Sequence, residues 1–175
     1  MLYSFEPMQP EHGPAVLAVL NHHIASGFAA YPSMSLPENL WERFFQALNG
    51  YPAYVVKHHG EVVGFGALKP YLLPDTLART AEVSYFLLPD HSGQGLGSRL
   101  LEILSAEALE RGVDNLLANV SSLNEGSLRF HKRHGFVQVG YFPKVGRKWD
   151  KDFDLIWLQK TLTPRQEDKN TKSGG

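Results

Sequence analysis

HSGQGLGSRL, residues 91–100, follows the apolar run VSYFLLP (83–89) and opens a series of leucines at helical spacing. Gly93, Gly95 and Gly97 fall where a strand hands over to a helix. Glycine has no Cβ, so backbone N–H groups can crowd toward a ligand, and the next helix contributes the positive end of its dipole. Strand, glycine loop and helix start together make a seat for an anion such as a pyrophosphate. The plainer alternative is a tight turn with no ligand, because short glycine motifs recur by accident. Two phosphate motifs are excluded. A dinucleotide fingerprint belongs to an early βαβ unit, whereas two helices and a hairpin precede this loop, and no Lys-Ser/Thr pair follows Gly97 as a Walker loop requires.

Outward from the loop, residues 80–88 read as a strand and 96–111 as a helix with Leu100, Leu104 and Ala108 on one face, ended by Gly112. Upstream, the pattern predicts a short strand over residues 2–6 and a helix over 10–24. A second helix follows from Pro37, with Ser35 as its cap, and then a hairpin around the turn HHGE. Downstream come a strand at NLLANVSS (115–122), a helix at NEGSLRFHKRHG (124–135), and two strands, FVQVGYF (136–142) and FDLIWLQKTL (153–162), expected to pair antiparallel. This order predicts an α/β (α+β) layer fold with a mixed central sheet of six to seven strands flanked by helices. Residues 1–162 read as one domain and the polar segment 163–175 as a disordered tail.

Composition narrows the partners. The 175 residues contain no cysteine, which removes disulfides, thiolate zinc sites and thiol nucleophiles together. Lys and Arg are scattered and the net charge is −1, so no surface for tracking nucleic-acid phosphates is expected. The start of the chain has neither a basic leader nor an apolar h-region, and no apolar stretch is long enough to span a membrane. A cytoplasmic protein acting on small molecules is expected. The HH pairs at 22/23 and 58/59 diverge on a helix or strand, and His131 and His134 lack an acidic partner in register, so no metal is expected.

The pattern SGQGLG resembles the acetyl-CoA pyrophosphate loop of the GNAT acetyltransferase superfamily, Q/R-x-x-G-x-G/A, through Gly95 and Gly97. Ser92 stands where the family carries Gln or Arg, which removes one side-chain contact and leaves the backbone amides. NEGSLRFHKRHGF resembles the superfamily's later Asn-helix-Gly-aromatic motif. More narrowly, NHHIA, YPAYVVKHHGEVVGFGALKPY, TAEVSYFLLP, HKRHGF and VGRKWDKDFDLIWLQ resemble the phosphinothricin N-acetyltransferase branch, which includes methionine sulfone and sulfoximine acetyltransferases. The resemblance runs from about Tyr3 to Leu162.

Acetyl transfer to an amine needs a neutral nitrogen, a donor for the developing oxyanion and a proton for the leaving thiolate. Strand alternation puts Glu82, Ser84 and Phe86 on one face and Val83, Tyr85 and Leu87 on the other. A carboxylate in mid-strand can take a proton from a substrate ammonium, directly or through water, and the resemblance places the general base at Glu82. His131 stands where many superfamily members carry the tyrosine that protonates the thiolate. It can serve that role, orient the substrate, or simply pack its ring on the sheet. The resemblance further implies that the backbone of Tyr85, Phe86 and Leu87 pairs with pantetheine and that Gly93, Gln94, Gly95, Leu96, Gly97 and Ser98 cradle the pyrophosphate. Asn124, in a helix N-cap position, is implied to bond the pantetheine chain.

For an amino-acid acceptor, Arg79 is a candidate carboxylate partner and Phe28 and Tyr31 candidate walls, with residues 147–149 as a second source of the cation. Without a nucleophilic cysteine, direct transfer from acetyl-CoA is expected. A protein N-terminus, lysine or polyamine acceptor and a non-catalytic acyl-CoA sensor are the rivals. The resemblance also implies a homodimer.

Overall fold

The computed structural model of the protein describes residues 3–163. Its chain order is β1 (Tyr3–Pro7), α1 (Gly13–Ser26), α2 (Trp41–Ala47), β2 (Ala53–His58), β3 (Glu61–Pro70), β4 (Thr80–Leu87), α3 (Leu96–Glu110), β5 (Asn115–Ser121), α4 (Glu125–Arg133), β6 (Val137–Lys148) and β7 (Lys151–Thr161). The seven strands form one sheet in the order β1-β2-β3-β4-β5-β7-β6. Neighbours run antiparallel except β4 and β5, which α3 connects in parallel. The sheet is therefore mixed, with helices on both faces.

Each face of the sheet has its own core. Leu68, Ala81, Val83, Leu116, Ala118 and Val120 alternate onto the side covered by Leu101 and Leu104 of α3. Phe65 and Ala67, offset by one residue, point the other way against Val16, Val19 and Leu20 of α1. Period-two strands facing helices with apolar stripes at i, i+3 and i+4 bury both layers, and this burial of apolar area is the main favourable term in folding. No helix among the described residues is long and apolar enough to cross a membrane.

Several boundaries differ from those the pattern predicts. The expected helix over 10–24 starts as a 3-10 turn at Pro10–His12 and becomes α-helical at Gly13, with Pro14 in its first turn, where a missing N–H costs nothing. Ser35 does not cap the second helix. The residue before its 3-10 start is Pro37, and α2 proper begins at Trp41. The closing hairpin is also longer than expected. β6 reaches Lys148 through register shifts, with Lys144 at φ 52°, so Pro143 and these irregular residues hide the strand from a period-two reading. Of the tail expected over 163–175, all but Thr163 lies outside the described residues.

Candidate active site

β4 and β5 pair over three positions, Thr80 with Asn115, Ala81 with Leu116 and Glu82 with Leu117, and then part. Each strand stays bound to its outer antiparallel neighbour for the rest of its length, β4 to β3 as far as Leu87 and β5 to β7 as far as Ser121. Held from outside and released inside, the two strands diverge and leave the inner edge of β4 without a strand partner. A cleft of about 890 Å³ fills the opening, walled by Tyr85, Phe86 and Leu87 of β4, by Ala118, Asn119 and Val120 of β5, and by Asn124 and His131 of the α4 region. Exposed strand-edge amides and carbonyls suit an extended, amide-bearing molecule. One of the edge acceptors, the Leu87 carbonyl, is taken by Nε2–H of His23 at 2.8 Å, from α1.

Gly93, Gly95, Leu96, Gly97 and Ser98 form the cleft mouth. Gly93 and Gly95 sit in the left-handed region at φ 75° and 79°, which only glycine enters without strain. Gly95 is the N-cap of α3, and no side chain bonds the free amides of that first turn. Those N–H groups and the helix dipole constitute an anion seat. Gly97 keeps α3 close to α4, since a Cβ there would lie 3.3 Å from the Phe130 ring. The Gln94 side chain turns away, its Oε1 accepting from the Tyr3 hydroxyl at 3.0 Å.

Glu82 is the last paired residue before the strands part. Its Oε1 accepts from Asn119 Nδ2 at 2.6 Å and its Oε2 is 3.0 Å from Lys69 Nζ, its cross-strand partner on β3. Asn119 in turn accepts from the Tyr31 hydroxyl at 2.7 Å. Tyr31 stacks on Phe153, and Phe28 packs edge-on against both Phe153 and Trp149. Glu82 therefore stands just beyond the closed end of the cleft, within a chain of polar contacts that runs from the loop after α1 to β3. Lys69 remains half exposed beside it.

His131 projects from α4 on the other face of the sheet, packed among Phe130, Phe136 and Tyr85. It is 3% exposed. Nδ1 lies 2.7 Å from the Ser127 carbonyl, which can only accept, so Nδ1 carries the hydrogen and Nε2 accepts the Tyr85 hydroxyl at 2.7 Å. Burial holds this imidazole below its ordinary pKa, and the Ser127 carbonyl and nearby His134 act as smaller opposing and reinforcing effects. Burial also raises the Tyr85 phenol. The cleft thus meets a neutral Tyr85–His131 pair.

The family model described as "Acetyltransferase (GNAT) family" matches residues 17–136. The chain belongs to the GNAT acetyltransferase family. It is accordingly an acetyl-CoA-dependent acetyltransferase, and the splayed strands and uncapped glycine turn fit that substrate. It is 32% identical to the L-amino acid N-acyltransferase MnaT of Escherichia coli, over 87% of this chain and 90% of that protein. To an L-methionine sulfoximine/L-methionine sulfone acetyltransferase of Salmonella typhimurium it is 30% identical, covering 85% and 88%. Among solved structures it superposes with TM-score 0.83 on yncA from Salmonella typhimurium, a structure solved with its cofactor acetyl-CoA. That pair is 27% identical and covers 95% and 98% of the two chains.

Most of the site residues expected from sequence converge on this GNAT cleft. Tyr85, Phe86, Leu87, Gly93, Gly95, Leu96, Gly97, Ser98, Asn124 and His131 line it, and Glu82 reaches it through Asn119. Asn124 also caps α4, accepting from the Ser127 amide at 3.2 Å. Neither Phe28 nor Tyr31 lines the cleft: Tyr31 reaches it through Asn119, and Phe28 meets Tyr31's stacking partner Phe153. Arg79 does not join them, because its guanidinium grips both oxygens of Asp114 and its side chain is 65% exposed. Arg147 is likewise paired with Asp152, and Lys148 is buried. Sequence reading missed Asn119, Lys69, His23 and the Tyr85 hydroxyl. Asn119 left a signal, a lone amide interrupting an apolar strand, whereas Lys69 meets Glu82 only through a strand register the sequence does not display. Among the described residues no group of three His, Cys, Asp or Glu side chains gathers as a metal would need.

Proposed function

We propose that the chain acetylates the α-amine of a small amino acid or analogue, of the phosphinothricin and methionine sulfone or sulfoximine type, by direct attack with Glu82 as general base. The carrying observation is the position of Glu82 at the vertex where β4 and β5 part, beyond the end of the cofactor cleft. A thioester lying along β4 would bring its acetyl carbon to that vertex. Glu82 then takes a proton from the ammonium, directly or through one water. The freed nitrogen forms the C–N bond as the C–S bond breaks, and the second proton that the nitrogen sheds passes through water to the departing thiolate, leaving the amide and free CoA thiol. On the opposite wall His131 has spent its only N–H on Ser127 and accepts the hydroxyl hydrogen of Tyr85, a phenol that burial raises, so this pair orients the thioester and is not the source of the proton. The Asn124 side chain and the β4 edge orient pantetheine, and the glycine turn holds the pyrophosphate.

The carboxylate of an amino-acid acceptor needs a cation, and Lys69 supplies it in place of Arg79. Glu82 and Lys69 mirror the ammonium and carboxylate of a zwitterion, so an α-amino acid can exchange ion partners with the pair. The names of the relatives, an L-amino acid N-acyltransferase and a methionine sulfoximine/sulfone acetyltransferase, support the same class.

A cytoplasmic homodimer completes the reading. β6 is an edge strand whose Val137, Val139, Tyr141, Phe142 and Val145 are exposed, an apolar row suited to a second copy.

The test is CoA release from acetyl-CoA with phosphinothricin, methionine sulfone, methionine sulfoximine, free amino acids, spermidine and a lysine peptide. Turnover of an amino-acid analogue that collapses in Glu82→Gln supports both class and base. Turnover of only spermidine or the peptide overturns the acceptor, and acetyl-CoA binding without any turnover leaves a sensor.

A further inference from the structure

Lys148 is 1% exposed at the end of β6, and among the described residues no carboxylate lies within ion-pair reach of its ammonium. Its Nζ donates to three backbone carbonyls, Ile24 at 2.7 Å, Gly27 at 2.6 Å and Ala30 at 2.9 Å. An ammonium has three donors, and all three are used. The Ile24 carbonyl belongs to the last turn of α1, where carbonyls lack intrahelical partners and the dipole is negative. Gly27 leaves that helix in an extended conformation, so the cap comes from a lysine more than a hundred residues away in the chain.

What Lys148 holds is the segment that carries the acceptor end of the cleft. Ala29 lines the cleft, and Tyr31, one residue past the Ala30 carbonyl, bonds Asn119, which bonds Glu82. The same hairpin tip grips the segment from its other side through Trp149 against Phe28 and Phe153 against Tyr31. The pyrophosphate seat is built on different residues, the loop before α3.

We propose that Lys148 is a positioning residue for acetyl transfer, fixing residues 27–31 so that Tyr31 and Asn119 hold the Glu82 carboxylate in register with the acceptor amine. The proposal rests on the functional reading above. Without the ammonium, three carbonyls lose their donor and the segment shifts to find water. Through Tyr31 that shift reaches Glu82 and leaves the cofactor seat in place.

Lys148→Met removes the charge and the donors at similar length. The expected result is a fall in kcat/KM for the acceptor on the order of ten- to a hundredfold, with the acetyl-CoA Kd from calorimetry unchanged. In a Tyr31→Phe background, where the link is already cut, the same substitution should cost about twofold or less. An equal loss in both backgrounds, or a parallel loss of acetyl-CoA affinity, overturns the proposal. If Lys148→Met does not fold, Lys148→Gln replaces it and amide hydrogen exchange reads the clamp directly. Faster exchange at residues 28–31 with α3 unchanged supports the proposal, and unchanged exchange at 28–31 overturns it. A wild-type protein that turns over no amine defeats the functional reading, whereas the exchange result judges the clamp by itself.

Discussion

Asn119 donates its side-chain amide to the Glu82 carboxylate at 2.6 Å, across the point where β4 and β5 make their last backbone pairing. The contact aims one carboxylate oxygen while its strand partner Lys69 engages the other. Asn119→Ala removes this donor together with the acceptor for Tyr31. A hydrogen bond to a charged group contributes about 1.5–3 kcal/mol, so kcat/KM for the acceptor should fall roughly ten- to a hundredfold with acetyl-CoA binding intact. Steady-state kinetics beside calorimetry reads both. An Asn119→Ala enzyme with wild-type acceptor kinetics removes Asn119 from the site.

The contact proposed between Lys69 and an acceptor carboxylate predicts discrimination among acceptors by charge. Lys69→Met should raise KM for a free amino-acid acceptor about tenfold or more and leave KM for the amide of the same amino acid unchanged, since only the former has a carboxylate to lose. Lys69→Arg should restore most of the difference. Equal effects on acid and amide would mean that Lys69 serves Glu82 alone.

Gly95 isolates the backbone contribution of the anion seat. A Cβ at this position meets no atom within 4 Å, so Gly95→Ala introduces no clash and acts only through φ 79°. The left-handed conformation costs an L-residue roughly 1–2 kcal/mol, and relaxing it turns the α3 amides away. Calorimetry should show acetyl-CoA bound about tenfold more weakly, with acceptor KM at saturating cofactor unaltered. Wild-type affinity in the variant would show that the turn does not need its left-handed residue.

Burial of His131 predicts an acid-sensitive fold. Burial holds its pKa below the ordinary 6.5, and burial does the same to His23. Well above pH 6.5 both folded and unfolded chains carry these rings neutral, and they contribute nothing to the pH dependence. As pH falls below that value the unfolded chain binds protons that the folded one refuses, so stability declines until the lowered folded pKa values are reached. Thermal unfolding between about pH 7.5 and 5 should show Tm falling, with a shallower slope in His131→Gln. Identical slopes in the two proteins would place the acid sensitivity elsewhere.

The sequence by itself determined what depends on local chemistry and on period. The glycine turn from strand to helix, the two-face alternation along residues 80–87 and the amphipathic stripe of α3 each follow from a residue's own conformational range or from its neighbours a turn away. Tertiary structure decided everything that depends on register between distant strands. It brought Lys69 opposite Glu82, sent Arg79 to Asp114, and laid Asn119 beside the vertex. It also buried Lys148 on carbonyls of a helix end that precedes it by more than a hundred residues. The physical reason is that a side chain's partner is set by which backbone edges pair and where pairing stops. The pairing of β4 with β5 stops after Glu82 while β3 and β7 keep hold of the outer edges, a relation among four strands that no single stretch of the chain records.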